Sequence, residues 1–358
     1  MSSTTANTTD NTTNSTMKAV ALHRYLPIDH PESLIDVTLP RPEPQGRDLL
    51  VAVKAIAVNP VDVKVRAPKD KLEDSPRVLG WDAAGVVEAV GPEVTGFKPG
   101  DRVYYAGDIT RPGSNSEYQL VDERIVGHAP ASLSLEQAAA LPLTAITAWE
   151  ALFERLHVPR QAQLLAGQRQ RSILMIGGAG GVGSIAIQLA ARLTSLHVIA
   201  TASRPESRQW VQELGAHAVI DHFGDIPAQL AALGHAEVDY VLILNDTDRH
   251  FPTAAQVVRP QGSIATIVEN AAPLDVSLLK AKSAGFVWEF MFTRSMFQTA
   301  DMDEQGKLLD AVAQLVDQGE IRTTLNKLLS PINAANLRSA HAELEAGRAV
   351  GKIVLKDF

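Results

Sequence analysis

The chain has 358 residues, 45% hydrophobic and 21% charged, an ordinary globular composition with length enough for two domains. Its formal net charge is −8 and no basic block occurs, which argues against a nucleic-acid surface or an anionic membrane face. Cysteine is absent, so disulfides, thiolate metal sites and cysteine nucleophiles are excluded.

Residues 1–16, MSSTTANTTDNTTNST, are almost entirely Ser, Thr, Asn, Asp and Ala. They read as a disordered tail, and without the apolar core of a signal peptide the chain is expected to be cytoplasmic. No apolar run reaches the roughly 18–20 residues that a membrane-spanning helix needs. From Met17, KAVALHRY and LLVAVKAIAV have the β-branched or alternating character of strands. Pro and Gly punctuate the stretches LPRPEPQGRD, GPEVTGFKPGDRV and DITRPGSN, so this half is predicted to be β-rich.

After about Leu133 the pattern changes. SLSLEQAAALPLTAITAWEALF has helical spacing, and Ser134 stands three residues before Gln137 as in a capping box. From Ser172 strand and helix alternate: ILMIGG, a helix to about Leu193, HVIATAS, a helix through RQWVQELG, AVIDH, another helix, then VDYVLIL. This βαβαβ rhythm predicts an α/β fold with a doubly wound parallel sheet. ILMI, HVIATA and VDYVLIL are near-continuous apolar runs, as strands covered on both faces should be. Two amphipathic helices, GKLLDAVAQLVDQG and NAANLRSAHAELEAG, and a strand, GKIVLKD, then break the alternation. The chain is therefore expected to return to its first domain. The division expected is 17–144 with 291–358 for the β-rich domain and 145–290 for the parallel-sheet domain.

The strongest chemical motif is Gly177-Gly178-Ala179-Gly180-Gly181-Val182-Gly183, which lies between the strand ILMI and the helix SIAIQLAARL. It contains GxGxxG as Gly178, Gly180 and Gly183. A tight turn there brings backbone close to a pyrophosphate, and the last glycine lets helix pack on strand. The helix N-terminus then offers free N–H groups and partial positive charge. Gly178, Gly180, Gly181, Val182 and Gly183 are the predicted phosphate cradle. About twenty residues on, where an NAD site usually carries Asp or Glu for the ribose hydroxyls, the chain reads Ala202-Ser203-Arg204-Pro205. Ser203 and Arg204 suit a 2′-phosphate, with Arg208 and His222 completing a basic cup, so NADPH is the predicted cofactor. The ten histidines form no HxxxH or HExxH pair, and His217 and His222 are five apart, so no metal is predicted. No Ser-His-Asp arrangement, paired carboxylates or P-loop lysine supports hydrolysis or phosphoryl transfer.

Further segments carry a family resemblance: Asn59-Pro60-Val61-Asp62, Leu79 to Gly85, Lys98 to Val103, Leu141 to Ala145, Ala179 to Gly183, and Gly351 to Val354. On these, from Met17 to Phe358, the chain resembles the medium-chain dehydrogenases/reductases, in the branch of quinone oxidoreductases and zinc-type alcohol dehydrogenase-like proteins. Trp288 to Arg294 resembles the latter subgroup in particular. The resemblance implies a GroES-like catalytic domain, a Rossmann domain and a cleft between them with nicotinamide at its floor. In zinc-dependent relatives a cysteine ligand stands where Asn59 is and a histidine-glutamate pair where Trp81-Asp82 are, so zinc-free chemistry is expected. Without that Lewis acid, reduction of an electron-poor quinone or enone survives better than alcohol oxidation.

In that frame Asn59, Asp62 and Lys64 are the candidate catalytic residues: Asn59 donates to a substrate carbonyl, Asp62 and Lys64 stand just beyond it, and Lys64 offers a proton or a positive field. Asp62 has a second reading as a helix-capping carboxylate, and Lys64 as a surface lysine. Thr147 meets the carboxamide end of the cofactor, and Lys352 is grouped with the cofactor-binding residues. Trp288, Phe290, Met291, Phe292, Met296 and Phe297 are either core or the lining of an apolar substrate pocket. Relatives are often dimers joined through the cofactor domain, so a homodimer is expected. Two rivals stand beside the quinone or enone reductase: an alcohol or aldehyde oxidoreductase of the same superfamily, and an NADPH-binding sensor or structural module.

Overall fold

The computed structural model describes residues 15–358. The expected tail over 1–16 thus lies outside the described residues except for Ser15 and Thr16, and Thr16 opens the first strand. That strand, Thr16–Tyr25, pairs antiparallel with Ile35–Pro40 on one side and Lys69–Val78 on the other. A second, seven-stranded sheet is built on Asp48–Ala57 (DLLVAVKAIA), whose β-branched and alanine side chains are almost all buried. One edge of it pairs with Ala83–Val90, followed by Arg102–Tyr105 and Val126–His128. The other edge is shared. Tyr118–Asp122 takes its first half, and the C-terminal strand Lys352–Lys356 takes Ala55–Ala57. The chain end therefore returns to the β-rich part, and Leu325–Leu329 completes that sheet in parallel with it.

The third sheet has six parallel strands in the spatial order Ala218–Ile220, His197–Thr201, Ser172–Ile176, Val238–Ile243, Val258–Thr266, Gly285–Trp288. Sequence order reverses between Ser172–Ile176 and Val238–Ile243, a switch point where such sheets open a crevice beyond the strand C-termini. SILMI and VDYVLI are buried throughout, as continuous apolar runs in a doubly covered sheet should be. The mixed α/β architecture, a GroES-like sheet part with a Rossmann sheet, is that expected from sequence.

Ser134 and Gln137 do form a capping box, but the helix ends at Ala139 and a fully buried one, Pro142–Trp149, starts after Leu141. Pro142 lacks an N–H to bond to a preceding turn and so restarts the helix. The chain continues through a wide π-type turn, Glu150–Arg155, and helix Pro142–Trp149 packs on Gly181–Leu193. Positions 144 and 145 fall inside this helix, so the expected division there crosses a rod rather than a linker. Among the described residues no helix is long and apolar enough to cross a membrane.

Candidate functional site

The glycine loop sits at the switch point. Gly177 N–H donates to Thr201 Oγ1 (2.9 Å) and Gly178 N–H to the Thr201 carbonyl (3.1 Å), which fastens the loop to the second strand. Gly177 has φ +91°, a left-handed conformation that an L side chain would strain. A Cβ on Gly183 would lie 2.5 Å from the Gly178 carbonyl oxygen, so the helix reaches the loop only because residue 183 has none. Gly180 is the opposite case. Its Cβ direction is open, the nearest atom being Gly177 O at 3.6 Å, and it caps helix Gly181–Leu193, whose first N–H groups face that opening. This is the geometry a nicotinamide dinucleotide needs for its pyrophosphate. Gly183→Ala should therefore weaken dinucleotide binding roughly tenfold or more, from the ordinary cost of overpacking. Fluorescence titration checks it, and unchanged affinity would remove the loop from the cofactor site.

The basic cup is only partly as expected. Arg204 is exposed at the end of the second strand, and its Nη2 donates to the Arg348 carbonyl at 3.1 Å. Arg348, also exposed, thus joins Arg204 from far along the chain, and nothing in the local sequence signalled it. Ser203 is half-buried beside them. Arg208 is a correction: its guanidinium donates to the Ala202 (3.1 Å) and Val219 (2.9 Å) carbonyls, bracing strand ends. His222 is another. Burial lowers its pKa, Nδ1 is buried without a partner, and the ring lies against Phe223, so it is a neutral contact and not a cation.

Of the residues expected to be catalytic, Asn59 alone belongs to a closed arrangement, which it forms with Lys352, expected at the cofactor, and with Asp82. Lys352 Nζ donates to Asp82 Oδ2 (2.8 Å), the Val58 carbonyl (3.0 Å) and Asn59 Oδ1, so three acceptors meet three ammonium protons. Asn59 Nδ2 donates to Asp82 Oδ2 (2.9 Å) and the Trp81 carbonyl (3.2 Å). Asp82 Oδ1 accepts from Leu143 N–H (2.8 Å) at the start of helix Pro142–Trp149. Asn59, Asp82 and Lys352 are 1%, 0% and 3% exposed. Burial pushes the Asp82 pKa up, while the Lys352 ammonium and the amide donors oppose it.

Two expectations change here. The Asn59 amide is taken up by the protein and has no free donor for a substrate carbonyl. Lys352 touches the glycine loop only with its stem: Cδ lies 3.1 Å from where a Gly181 Cβ would be, while its ammonium turns away into the triad. Gly351 N–H donates to the Ala179 carbonyl (3.0 Å), so the C-terminal strand is tied to the loop beside this turn.

Asp62 takes its capping role. Its Oδ2 accepts from Asn59 N–H (2.5 Å) at the start of helix Pro60–Arg66, and burial raises its pKa to about 7. Oδ1 is buried without a partner. Lys64, on the same helix, faces out and bonds Glu269 (2.6 Å) of the segment after strand Val258–Thr266. That ion pair joins the two sheet systems at the surface, and sequence reading did not signal Glu269. Thr147 donates its hydroxyl proton to the Leu143 carbonyl (2.7 Å), so toward a carboxamide it can only accept. Of the aromatic and methionine cluster, Met291 and Phe292 are buried, whereas Trp288, Phe290, Met296 and Phe297 are exposed. Phe290, Phe292 and Trp81 stand edge to face in series, with centroids 5.5 and 6.1 Å apart.

The triad does not fit zinc. A zinc ligand must point a lone pair at the ion. Here an ammonium, which has none, takes the lone pairs of Asn59 and Asp82, and Trp81 Nε1–H donates to the Asp108 carbonyl (3.3 Å). Among the described residues no group of three or more His, Asp or Glu is placed to hold a metal.

Residues 45–131 match the family model of the alcohol dehydrogenase GroES-like domain, and 214–355 that of the zinc-binding dehydrogenases. A zinc-type alcohol dehydrogenase-like protein of Staphylococcus epidermidis is 40% identical over 340 residues, covering 95% of this chain and 99% of that protein. The 2-methylene-furan-3-one reductase of Solanum lycopersicum is 32% identical over 328 residues, covering 88% and 73%. A solved structure from Rhizobium etli, assigned as a zinc-dependent alcohol dehydrogenase, superposes with a TM-score of 0.90 at 52% identity, covering 96% and 99%. With a Rossmann sheet, a GroES-like sheet and relatives matched along nearly its whole length, the chain belongs to the medium-chain dehydrogenase/reductase superfamily of oxidoreductases, among the zinc-type alcohol dehydrogenase-like proteins.

Proposed function

We propose that this protein is an NADPH-dependent reductase of quinones or α,β-unsaturated carbonyls that works without zinc. The observation that carries the reading is the buried Asn59–Asp82–Lys352 triad, in which a side-chain ammonium fills the place the metal ligands surround in zinc-dependent relatives. Without a metal to hold an alkoxide, the acceptor must already be electron-poor, as a conjugated carbonyl is. The 2-methylene-furan-3-one for which the Solanum lycopersicum relative is named is an enone and belongs to that class.

A bound nicotinamide supplies the hydride. The open face at Gly180 and the first turn of helix Gly181–Leu193 hold the pyrophosphate, while Ser203 and Arg204 bind the 2′-phosphate. Lys352, with every proton taken up by a protein acceptor, supplies a fixed positive field and holds Asn59 and Asp82 in register. Phe290 and Trp288 offer planar apolar faces that exclude water from the acceptor. We place the solvent-connected proton donor at Lys64, exposed on the helix that Asn59 caps, which must leave its ion pair with Glu269 to act. We assign the unpaired edge of strand Gly285–Trp288, with Val276 and Leu278 exposed nearby, to a second copy of the chain.

Consumption of NADPH, and separately NADH, against a panel of quinones and enones tests the reading. Turnover with NADPH preference is expected. Tight NADPH binding with no turnover on any acceptor would make the protein a binding module instead.

A further inference from the structure

The segment that leaves the parallel sheet runs against hydrophobic logic. Trp288 and Phe290 are 41% and 42% exposed, while Glu289 between them is 2% exposed. Strand alternation turns one residue inward here, and it is the acid. Its backbone lies at the edge of the parallel sheet where the strands end, Glu289 N–H donating to the Thr266 carbonyl (2.9 Å) at the C-terminal end of the neighbouring strand, the side on which such sheets bind dinucleotides.

Inside, Glu289 meets Arg155 of the π-type turn Glu150–Arg155, the same turn whose Glu150 and Glu154 are bonded by Arg294 of the short helix Thr293–Phe297. Four carboxyls gather there, from Glu150, Glu154, Glu289 and Asp301, against two guanidiniums, from Arg155 and Arg294. Arg294 bonds Glu150 (2.7 Å), Glu154 (2.9 Å) and Asp301 (2.9 Å), which leaves Glu289 only Arg155 Nε at 3.0 Å. Strand Val258–Thr266 contributes no charge to it, only the Thr266 carbonyl. As a carboxylate, Glu289 has no aligned donor for either oxygen, both of which are buried. As a neutral acid it can donate to Glu150, and two carboxyls sharing one proton relieve the charge excess.

We propose that Glu289, held as a neutral acid against Glu150, is the positioning residue that fixes Trp288–Phe292 on the cofactor rim, and that losing its proton releases the segment. Burial and the neighbouring Glu150 charge push its pKa up to about 9, so the proton is kept at neutral pH. A carboxyl whose folded pKa is raised leaves the fold at full strength below the ordinary carboxylate range, and stability is lost as pH rises through about 9. Glu289→Gln keeps the shape and the donor and removes the titration.

The inference rests on the cofactor half of the proposed function and not on the acceptor, so failure to reduce any quinone or enone leaves it standing. NADPH binding to the full chain, read by quenching of tryptophan fluorescence, tests it from neutral pH to about 10, with circular dichroism confirming the fold. Wild-type affinity should fall about tenfold over the pH unit above the midpoint, and Glu289→Gln should bind as tightly as wild type at neutral pH and stay level. Wild type and Glu289→Gln falling together would overturn the proposal. Should Glu289→Gln fail to fold, Glu150→Gln serves: removing that charge should move the wild-type midpoint to lower pH, and an unmoved midpoint would overturn it equally.

Discussion

Lys352→Met is expected to cost about 3–5 kcal/mol of folding stability, because it leaves Asp82 as a buried carboxylate with its cation gone. The side chains of Lys352 and Asp82 are 3% and 0% exposed, so water cannot replace the lost partner. The loss should be conditional on the carboxylate. Asp82→Asn/Lys352→Met, which removes both charges, should recover most of it, giving a large coupling term in a double-mutant cycle read by denaturant unfolding. A double variant as unstable as the single one would mean that Lys352 matters through packing on Gly181 and not through its charge. Asn59→Ala belongs to the same unit, since it takes one acceptor from Lys352 and one donor from Asp82.

Arg204→Glu is expected to weaken NADPH binding by about 1.5–3 kcal/mol, roughly 10- to 150-fold, while leaving NADH nearly unchanged or improved. The reason is local. The end of strand His197–Thr201 carries no carboxylate to accept from ribose hydroxyls, and Arg204 with Arg348 concentrates positive charge there. A new glutamate repels the 2′-phosphate and offers the hydroxyls the acceptor they lack. Arg208→Gln makes the control. Its guanidinium braces the Ala202 and Val219 carbonyls, so it should lower stability without changing the ratio of the two affinities. Equal loss of NADPH and NADH binding in Arg204→Glu would refute the assignment.

What the sequence made legible depends on how local the physics is. The parallel sheet could be read because each buried strand is its own apolar run, and the glycine loop because turn, strand and helix are adjacent in the chain. The roles of Asn59 and Lys352 could not. Their side chains meet across 293 positions, and only the pairing of Lys352–Lys356 with Asp48–Ala57 brings them together. The charge and availability of Arg208 and His222 are not legible in the sequence, because carbonyl partners decide the one and burial the other. Asp62 was read both as catalyst and as cap, and the hydrogen bond from Asn59 N–H assigns it to the cap. Glu269, Arg348 and Glu289 had no local signal. Each matters through a partner far along the chain: Lys64, Arg204 and Glu150 respectively.

In the proposed function the fixed Lys352 ammonium stands where zinc-dependent relatives place a metal, and reduction proceeds without one. The most direct measurement is the rate of NADPH-dependent enone reduction by protein dialysed against a strong zinc chelator. An unchanged rate, indifferent to added zinc, is the predicted result. A rate lost on dialysis and restored by zinc would contradict the account, because it would require Lys352 to leave Asn59 and Asp82 for a metal to enter.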